Sequence, residues 1–152
     1  MNGAGPALVV RRLIAASPER LFAAWTEPDQ LLAWWGPGPV RCVGADVDLR
    51  IGGRYRIGNR LPEGALLWIS GEFVAIERPW RLSYTWQLEG LPNPPGEVEL
   101  VTVRFAPRGD ATEVEITHER IADERTWTSH DDGWRGCLDK LAAHSHDTRP
   151  RR

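Results

Sequence analysis

The sequence has few of the residues that mark several common protein classes. Among its 152 residues are two cysteines, Cys42 and Cys137, which lie too far apart to form the CxxC pair of a zinc or redox motif. Two free thiols are typical of a reducing compartment, so we expect a cytoplasmic protein. Lys140 is the only lysine, and the arginines are interspersed with acidic residues. Together with a net charge of -2, this pattern argues against a nucleic-acid partner.

Long apolar runs are also missing. Arg11 and Arg12 interrupt the first apolar segment, which excludes the core of a signal peptide, and no stretch reaches the length of a membrane span. We therefore expect no membrane insertion. A content of 41% hydrophobic and 26% charged residues is ordinary for a globular protein. It fits a single domain over residues 1–152, in which residues 145–152 form a disordered polar tail.

The first third of the chain predicts one strand followed by two short helices. The segment ALVVRRLI is rich in β-branched residues and is typical of a strand. In the next segment Ser17 is a natural N-cap, and Pro18 suits the first turn of a helix. A second short helix is expected to begin at Pro28 and to end at Gly36 and Pro37.

The rest of the chain predicts a sheet and a final helix. Six strand-like runs, from VRCVGADVDL to ATEVEITHE, are separated by Gly, Pro, Asn and Asp turn residues, as in an antiparallel meander. A helix from about Asp123 to about His144 would span about 30 Å, enough to cross a sheet. Its apolar stripe consists of Trp127, His130 or Asp131, Trp134, Leu138 and Leu141. The expected fold class is α+β, with a curved antiparallel sheet wrapped around the long C-terminal helix.

Four segments in this order resemble the successive motifs of the heat-shock ATPase activator homologue family. They are ASPERLFAAWTEPDQLLAWWGP, DLRIGGRYR, GEFVAIERPWRLSYTW and HDDGWRGCLDKLAA. That family belongs to the START-like (SRPBCC) superfamily, and the similarity extends from about Leu8 to Ala143. The resemblance implies the helix-grip fold. It does not imply one function, because members include chaperone cofactors, carriers of lipids and other hydrophobic ligands, polyketide aromatases and cyclases, and antibiotic-resistance proteins.

We expect a binding protein without catalytic activity or cofactor. Eight tryptophans are many for this length, and pockets in such folds are mainly apolar and aromatic. The resemblance implies that the last helix closes the pocket. The expected ligand is a small hydrophobic or aromatic molecule, such as a lipid or polyketide, held between the sheet and this helix. The side chains expected to contact it are Trp35, Tyr84, Trp86, His118, Trp127, His130, Trp134 and Leu138.

Catalysis is the first alternative function. His118 shares the apolar face of its strand with Val114 and Ile116, and His130 lies on the inward stripe of the last helix. A pair of histidines, or a histidine with Asp131, would suit the general acid–base chemistry of a cyclase, aromatase or hydrolase. The simpler interpretation is a hydrogen-bonded pair at the rim of the core, because the sequence does not fix the distance between them. The other alternative is a chaperone-linked or stress-response interaction protein.

Three further expectations concern surface and packing. Glu97, Glu99, Glu113 and Glu115 are expected to form an acidic patch on a solvated face of neighbouring strands. Gly133 costs the helix about 1 kcal/mol relative to alanine, and we expect its missing Cβ to allow close packing. No metal site is expected, because the HSH sequence near the end of the chain has no third ligand in register. The sequence is compatible with a homodimer.

Overall fold

The computed structural model describes residues 6–89 and 98–145, and within them it confirms the predicted element order. The elements are β1 (Leu8–Ile14), α1 (Pro18–Thr26), α2 (Pro28–Trp34), β2 (Arg41–Val47), β3 (Arg54–Arg60), β4 (Leu66–Glu77), β5 (Arg81–Leu88), β6 (Glu99–Arg108), β7 (Ala111–Glu119) and α3 (Glu124–Ser145). The seven strands form one antiparallel sheet in the order β1-β7-β6-β5-β4-β3-β2. The sheet curls around α3, which is the helix-grip arrangement.

Local sequence explains where the two short helices begin and end. Ser17 caps α1, since its Oγ accepts a hydrogen bond from the backbone N–H of Arg20 at 3.1 Å. Pro28 disfavours helical geometry in the residue before it, and Glu27 is accordingly extended, with φ -96° and ψ 125°. The same proline occupies the first turn of α2. The chain therefore changes direction between the two helices without an intervening loop.

The core lies between the concave face of the sheet and the helices. Trp134, Leu138 and Leu141 of α3 are buried, as the predicted stripe requires. They belong to one apolar cluster with the inward residues of the strands, among them Val103 and Ile116. Burial of this face, to which Cys137 also belongs, is what holds α3 across the sheet, because most of the other side chains of the helix are exposed or only partly buried.

The C-terminal boundary needs one correction. The polar tail was expected to begin at residue 145, but Ser145 is the last residue of α3 and is buried. Its carbonyl oxygen accepts a hydrogen bond from Nε of Arg20 at 2.9 Å. This contact ties the end of α3 to α1. The remainder of the predicted tail, residues 146–152, lies outside the described residues.

Candidate functional site

A cavity of about 850 Å³ lies between the sheet and the first half of α3. This volume is within the range of protein pockets that hold drug-sized molecules. Strands β3, β4 and β5 supply one side of the cavity, and residues from Arg125 to Cys137 supply the other. Its apolar wall includes Val40, Leu61, Leu67, Ile69, Leu88 and Val98.

Three tryptophans from different elements form an aromatic wall in this cavity. Trp35 follows α2, Trp86 is on β5, and Trp134 is on α3. Their ring centroids are 5.7 Å apart for Trp35 and Trp134, 5.4 Å for Trp86 and Trp134, and 6.3 Å for Trp35 and Trp86. These distances are typical of tilted and edge-to-face aromatic pairs. Because each ring is held by the other two, the wall is formed before any ligand arrives.

A cluster of Glu99, His118 and His130 stands beside the tryptophans, and we call it the Glu99 cluster. Oε1 of Glu99 lies 2.7 Å from Nε2 of His118 and 2.9 Å from Nε2 of His130. The two imidazole rings are stacked, with centroids 4.2 Å apart and an interplanar angle of 16°. Glu99 and His130 line the cavity. The side chain of His118 has no exposed surface, so it contacts Glu99 from the core and not from the cavity.

Trp134 determines the tautomer of His118. Its Nε1–H donates to Nδ1 of His118 at 2.9 Å, and an indole N–H can only donate. Nδ1 of His118 therefore carries a lone pair, and the ring proton is on Nε2. His118 is neutral in this arrangement and donates its Nε2–H to Glu99. The same indole thus belongs both to the aromatic wall and to the Glu99 cluster.

The carboxyl group of Glu99 is ionised although it is partly removed from water. Burial by itself raises the pKa of Glu99, but the hydrogen bonds from His118 and His130 outweigh burial and lower that pKa to about 2. Burial lowers the pKa of His118, and this effect exceeds the opposite effect of its hydrogen bond to Glu99. The cluster therefore presents a carboxylate to the cavity, supported by a neutral imidazole.

The donor arrangement of the cluster does not fit a divalent metal. One nitrogen from each histidine and one oxygen of Glu99 lie within 4.8 Å of one another, a set that resembles a two-histidine, one-carboxylate zinc site. A histidine that binds a metal through Nε2 carries its proton on Nδ1 and donates it to an acceptor. In this protein Nδ1 of His118 faces the N–H of Trp134. A metal at Nε2 would move the ring proton of His118 to Nδ1, where this N–H would point at the N–H of Trp134.

Five of the eight side chains predicted to contact a ligand gather at this site. Trp35, Trp86, His130 and Trp134 line the cavity, and His118 lies behind it within the Glu99 cluster. They come from α3, two strands and the segment after α2. The fold therefore assembles residues that are up to about a hundred positions apart in the sequence.

The other three predicted side chains lie elsewhere. Tyr84 lines a separate cavity of about 20 Å³, and its hydroxyl accepts a hydrogen bond from Nε1 of Trp25 at 3.1 Å. Leu138 is fully buried in the core. Trp127 is half-buried, and its Nε1–H donates to the carbonyl oxygen of Pro6 at 3.1 Å. These three residues hold the surrounding structure in place.

The structure changes the role of two acidic residues. Oδ1 of Asp131 accepts a hydrogen bond from Nε of Arg135 at 2.9 Å, one helical turn away, so the dyad of a histidine with Asp131, one of the two arrangements considered for catalysis, does not form. Glu99 was assigned to a solvated patch, yet it is the carboxylate that binds both histidines. Strand alternation was the signal that could have identified it, because Glu99 is in phase with the buried Val101 and Val103.

The expected role of Gly133 also needs correction. A Cβ added at Gly133 would meet no atom within 4 Å, and this residue lines the cavity. Close packing occurs instead one turn later, where a Cβ at Gly136 would lie 2.9 Å from Cβ of Pro37. Gly136 thus lets α3 approach the segment after α2, and Gly133 enlarges the cavity.

Solved structures share this architecture over nearly the whole chain. The alignment with a protein from Chromobacterium violaceum has a TM-score of 0.83 and 25% identity, and it covers 91% of this chain and 96% of that protein. An AHSA1 protein from Silicibacter pomeroyi has a TM-score of 0.79 and 28% identity, covering 91% and 96%. CalU16 from Micromonospora echinospora has a TM-score of 0.68 and 25% identity, covering 93% and 76%.

The family of the chain follows from a match to a family model. No curated protein matches the sequence. None of the helices among the described residues is both long and apolar enough to cross a membrane. The family model described as Activator of Hsp90 ATPase homolog 1-like protein matches residues 15–145, and the helix-grip architecture agrees with the START-like fold of its relatives. The chain therefore belongs to the Activator of Hsp90 ATPase homolog 1-like family.

Proposed function

We propose that this protein binds a small apolar or aromatic molecule in the cavity between the sheet and α3, and releases it chemically unchanged. The observation that carries the proposal is a cavity of about 850 Å³ with three tryptophans in its wall. Removing apolar surface from water stabilises a complex by about 25 cal/mol per Å². An aromatic ligand would gain additional stabilisation from edge-to-face contacts with the indole rings.

The ordered wall supports binding as well. Trp35 and Trp134 are each only 3% exposed and are packed on Trp25 and Trp86. Side chains that are already ordered lose little conformational entropy when a ligand arrives, and that loss is one of the main costs of association. The pocket is therefore suited to bind without large rearrangement.

Filling the cavity from Gly133 tests the proposal. Because the space around a Cβ at this position is open, Gly133→Trp should place an indole in the cavity without disturbing the core. Tryptophan also has a higher helix propensity than glycine, so α3 should not be destabilised. Ala143→Trp is the matched control, since Ala143 is exposed on the same helix.

The readout is the fluorescence of N-phenyl-1-naphthylamine, a neutral aromatic dye whose emission rises in apolar surroundings. Wild type and Ala143→Trp should bind one dye molecule saturably, and Gly133→Trp should bind it at least about tenfold more weakly. Equal dye affinity in all three folded proteins, or the lack of a saturable response in wild type, would contradict the proposal.

Acid–base catalysis in the same cavity is a second candidate, and the Glu99 cluster favours it. When the imidazole of His130 is neutral, donation of its Nε2–H to the ionised Glu99 leaves the lone pair on Nδ1, as in enzymes that orient a histidine base with a carboxylate. A polyketide-cyclase-type reaction on a thioester substrate would then be lost in His130→Gln while dye binding is kept. Wild-type protein that binds such a thioester and returns it unchanged argues for the binding function alone.

A further inference from the structure

We infer that the ligand of this cavity carries a protonated amine, which binds Glu99 while its carbon skeleton packs on Trp35, Trp86 and Trp134. The inference rests on the proposed binding function and names the class of ligand. It excludes fatty acids and aromatic acids as preferred ligands, because their carboxylates would face the carboxylate of Glu99.

The charge of the Glu99 cluster is the first observation behind this inference. The carboxylate of Glu99 is about one-fifth exposed and lies in the cavity wall. Trp134 keeps His118 neutral, so that donor offers Glu99 a hydrogen bond but no positive charge. A partly buried carboxylate is stabilised most by a cation in direct contact. An ammonium group on the ligand would supply that cation.

The hydrogen bonds within the cluster leave room for such a group. Both histidines donate to the same oxygen, Oε1 of Glu99. Neither of these two bonds uses Oε2, and a carboxylate has about four acceptor positions. An ammonium group has three N–H donors, so one can bind Oε2 while the others remain available to further acceptors or water.

The aromatic wall is placed to stabilise the same cation. Trp86 is the cross-strand partner of Glu99, and its ring centroid lies 5.3 Å from that of His118 and 5.8 Å from that of His130. The indole ring therefore flanks the cluster. Tryptophan is the aromatic residue that attracts cations most strongly through its π face, and this attraction grows when the cation is removed from water.

The remaining charges of the cavity do not reverse this preference. Outside the Glu99 cluster, the acidic and basic side chains among the described lining residues of the cavity are Asp123 and Arg125, at the start of α3. Both are exposed, and their charges oppose each other. Exposed charges are screened by water and salt, whereas Glu99 is partly shielded from both. The field inside the cavity is therefore dominated by the carboxylate of Glu99.

Three ligands that share one skeleton and differ in charge test the inference. They are 2-(1-naphthyl)ethylamine, which is protonated at pH 7, the neutral 2-(1-naphthyl)ethanol, and the anionic 1-naphthylacetate. Each is used to displace N-phenyl-1-naphthylamine from the wild-type protein. The amine should bind about 10- to 100-fold more tightly than the alcohol, the range for a hydrogen bond to a charged group. The carboxylate should bind more weakly than both.

Two variants assign the preference to Glu99. Glu99→Gln removes the charge and keeps an oxygen that accepts from both histidines, so amine and alcohol should then bind within about twofold of each other. Asp123→Asn is the matched control. It removes the same charge at the cavity rim, and asparagine still caps α3 by accepting the N–H of Thr126, as Asp123 does at 2.8 Å. This variant should keep the wild-type preference for the amine.

The outcomes separate the inference from the proposed function. Dye binding with equal displacement by amine and alcohol, or with stronger displacement by the carboxylate, overturns the inference and leaves the binding function intact. An amine preference that persists in Glu99→Gln overturns it as well. Wild-type protein that does not bind the dye overturns the proposed function and the inference together. If Glu99→Gln does not fold, Asp123→Asn decides the assignment, because Asp123 is the other carboxylate among the described lining residues, and loss of the amine preference in this variant would overturn the inference.

Discussion

Replacing Trp134 by phenylalanine should lower the free energy of unfolding by about 2–4 kcal/mol and should change its dependence on pH. The indole N–H is the donor to Nδ1 of His118, whose side chain has no exposed surface. A phenyl ring cannot make this bond, and a buried acceptor that loses its partner costs about 1–3 kcal/mol. The smaller ring also leaves a void beside Trp25 and Trp86, which adds about 1 kcal/mol.

The pH dependence follows from the tautomer. In wild type, burial lowers the pKa of His118 below its ordinary value of 6.5, so the unfolded chain binds this proton first. Stability from His118 is therefore complete above about pH 6.5 and declines as the pH falls through that value. In Trp134→Phe, Nδ1 can take a proton while Nε2–H stays on the carboxylate of Glu99. Burial and repulsion from His130 still lower the pKa of folded His118 in this variant, but protonation no longer breaks a hydrogen bond from the indole, so that pKa is lowered less and the decline becomes smaller.

Urea midpoints at pH 8 and pH 5.5 measure both effects. Trp25→Phe is the matched control, because Trp25 is 4% exposed and its Nε1–H donates to the hydroxyl of Tyr84, away from the histidines. Both variants should lose stability, and only Trp134→Phe should show a smaller drop between pH 8 and pH 5.5 than wild type. Parallel pH profiles for all three proteins, or a cost below about 1 kcal/mol for Trp134→Phe, would refute the assigned hydrogen bond.

Three further predictions use other parts of the site. The pKa of Glu99 is 4.5 ordinarily and about 2 in the folded protein, so ionised Glu99 contributes on the order of 3 kcal/mol to the free energy of unfolding above pH 4.5 and loses this contribution as the pH falls through about 2. Glu99→Gln should therefore flatten the urea-midpoint profile between pH 6 and pH 3. Gly133→Ala should raise the free energy of unfolding by about 1 kcal/mol, since the added Cβ meets open space. Gly136→Ala should lower the free energy of unfolding, because the added Cβ would lie 2.9 Å from Cβ of Pro37. Thermal melts that rank the two variants in the opposite order would contradict this packing. Burial raises the pKa of Cys137 to about 12, so a thiol reagent at pH 8 should leave this residue unmodified in the folded protein, and labelling before unfolding would contradict its burial.

Local signals in the sequence were sufficient for the fold. The N-cap at Ser17 and the proline at Pro28 act on their immediate neighbours, so the helix starts could be predicted without knowing the tertiary structure. The final helix was predicted from its apolar stripe, in which Trp134 and Leu138 are one helical turn apart and both buried. The meander was predicted from the short turns between the strands, because strands joined by short turns lie side by side and pair.

The chemistry of the site depends on contacts that no local pattern specifies. Glu99 reaches His118 because β6 pairs with β7, and it reaches His130 because α3 crosses the sheet at that level. Both conditions concern register and crossing position, which are set by the packing of the whole core. The sequence placed the histidines on inward faces but offered the neighbouring Asp131 as their partner. The short-range pair of Asp131 with Arg135 shows why proximity along the chain was a poor guide.

Native mass spectrometry tests the central claim, a ligand-binding cavity between the sheet and α3, most directly. Wild-type protein and Gly133→Trp would be purified in parallel from the organism that makes the protein, and each spectrum compared with that of the denatured chain. The account predicts that wild type carries one small molecule per chain, which is released on denaturation, and that Gly133→Trp has the mass of the polypeptide alone. Identical spectra for the two proteins, with the same bound molecule in both or with none in either, would contradict it.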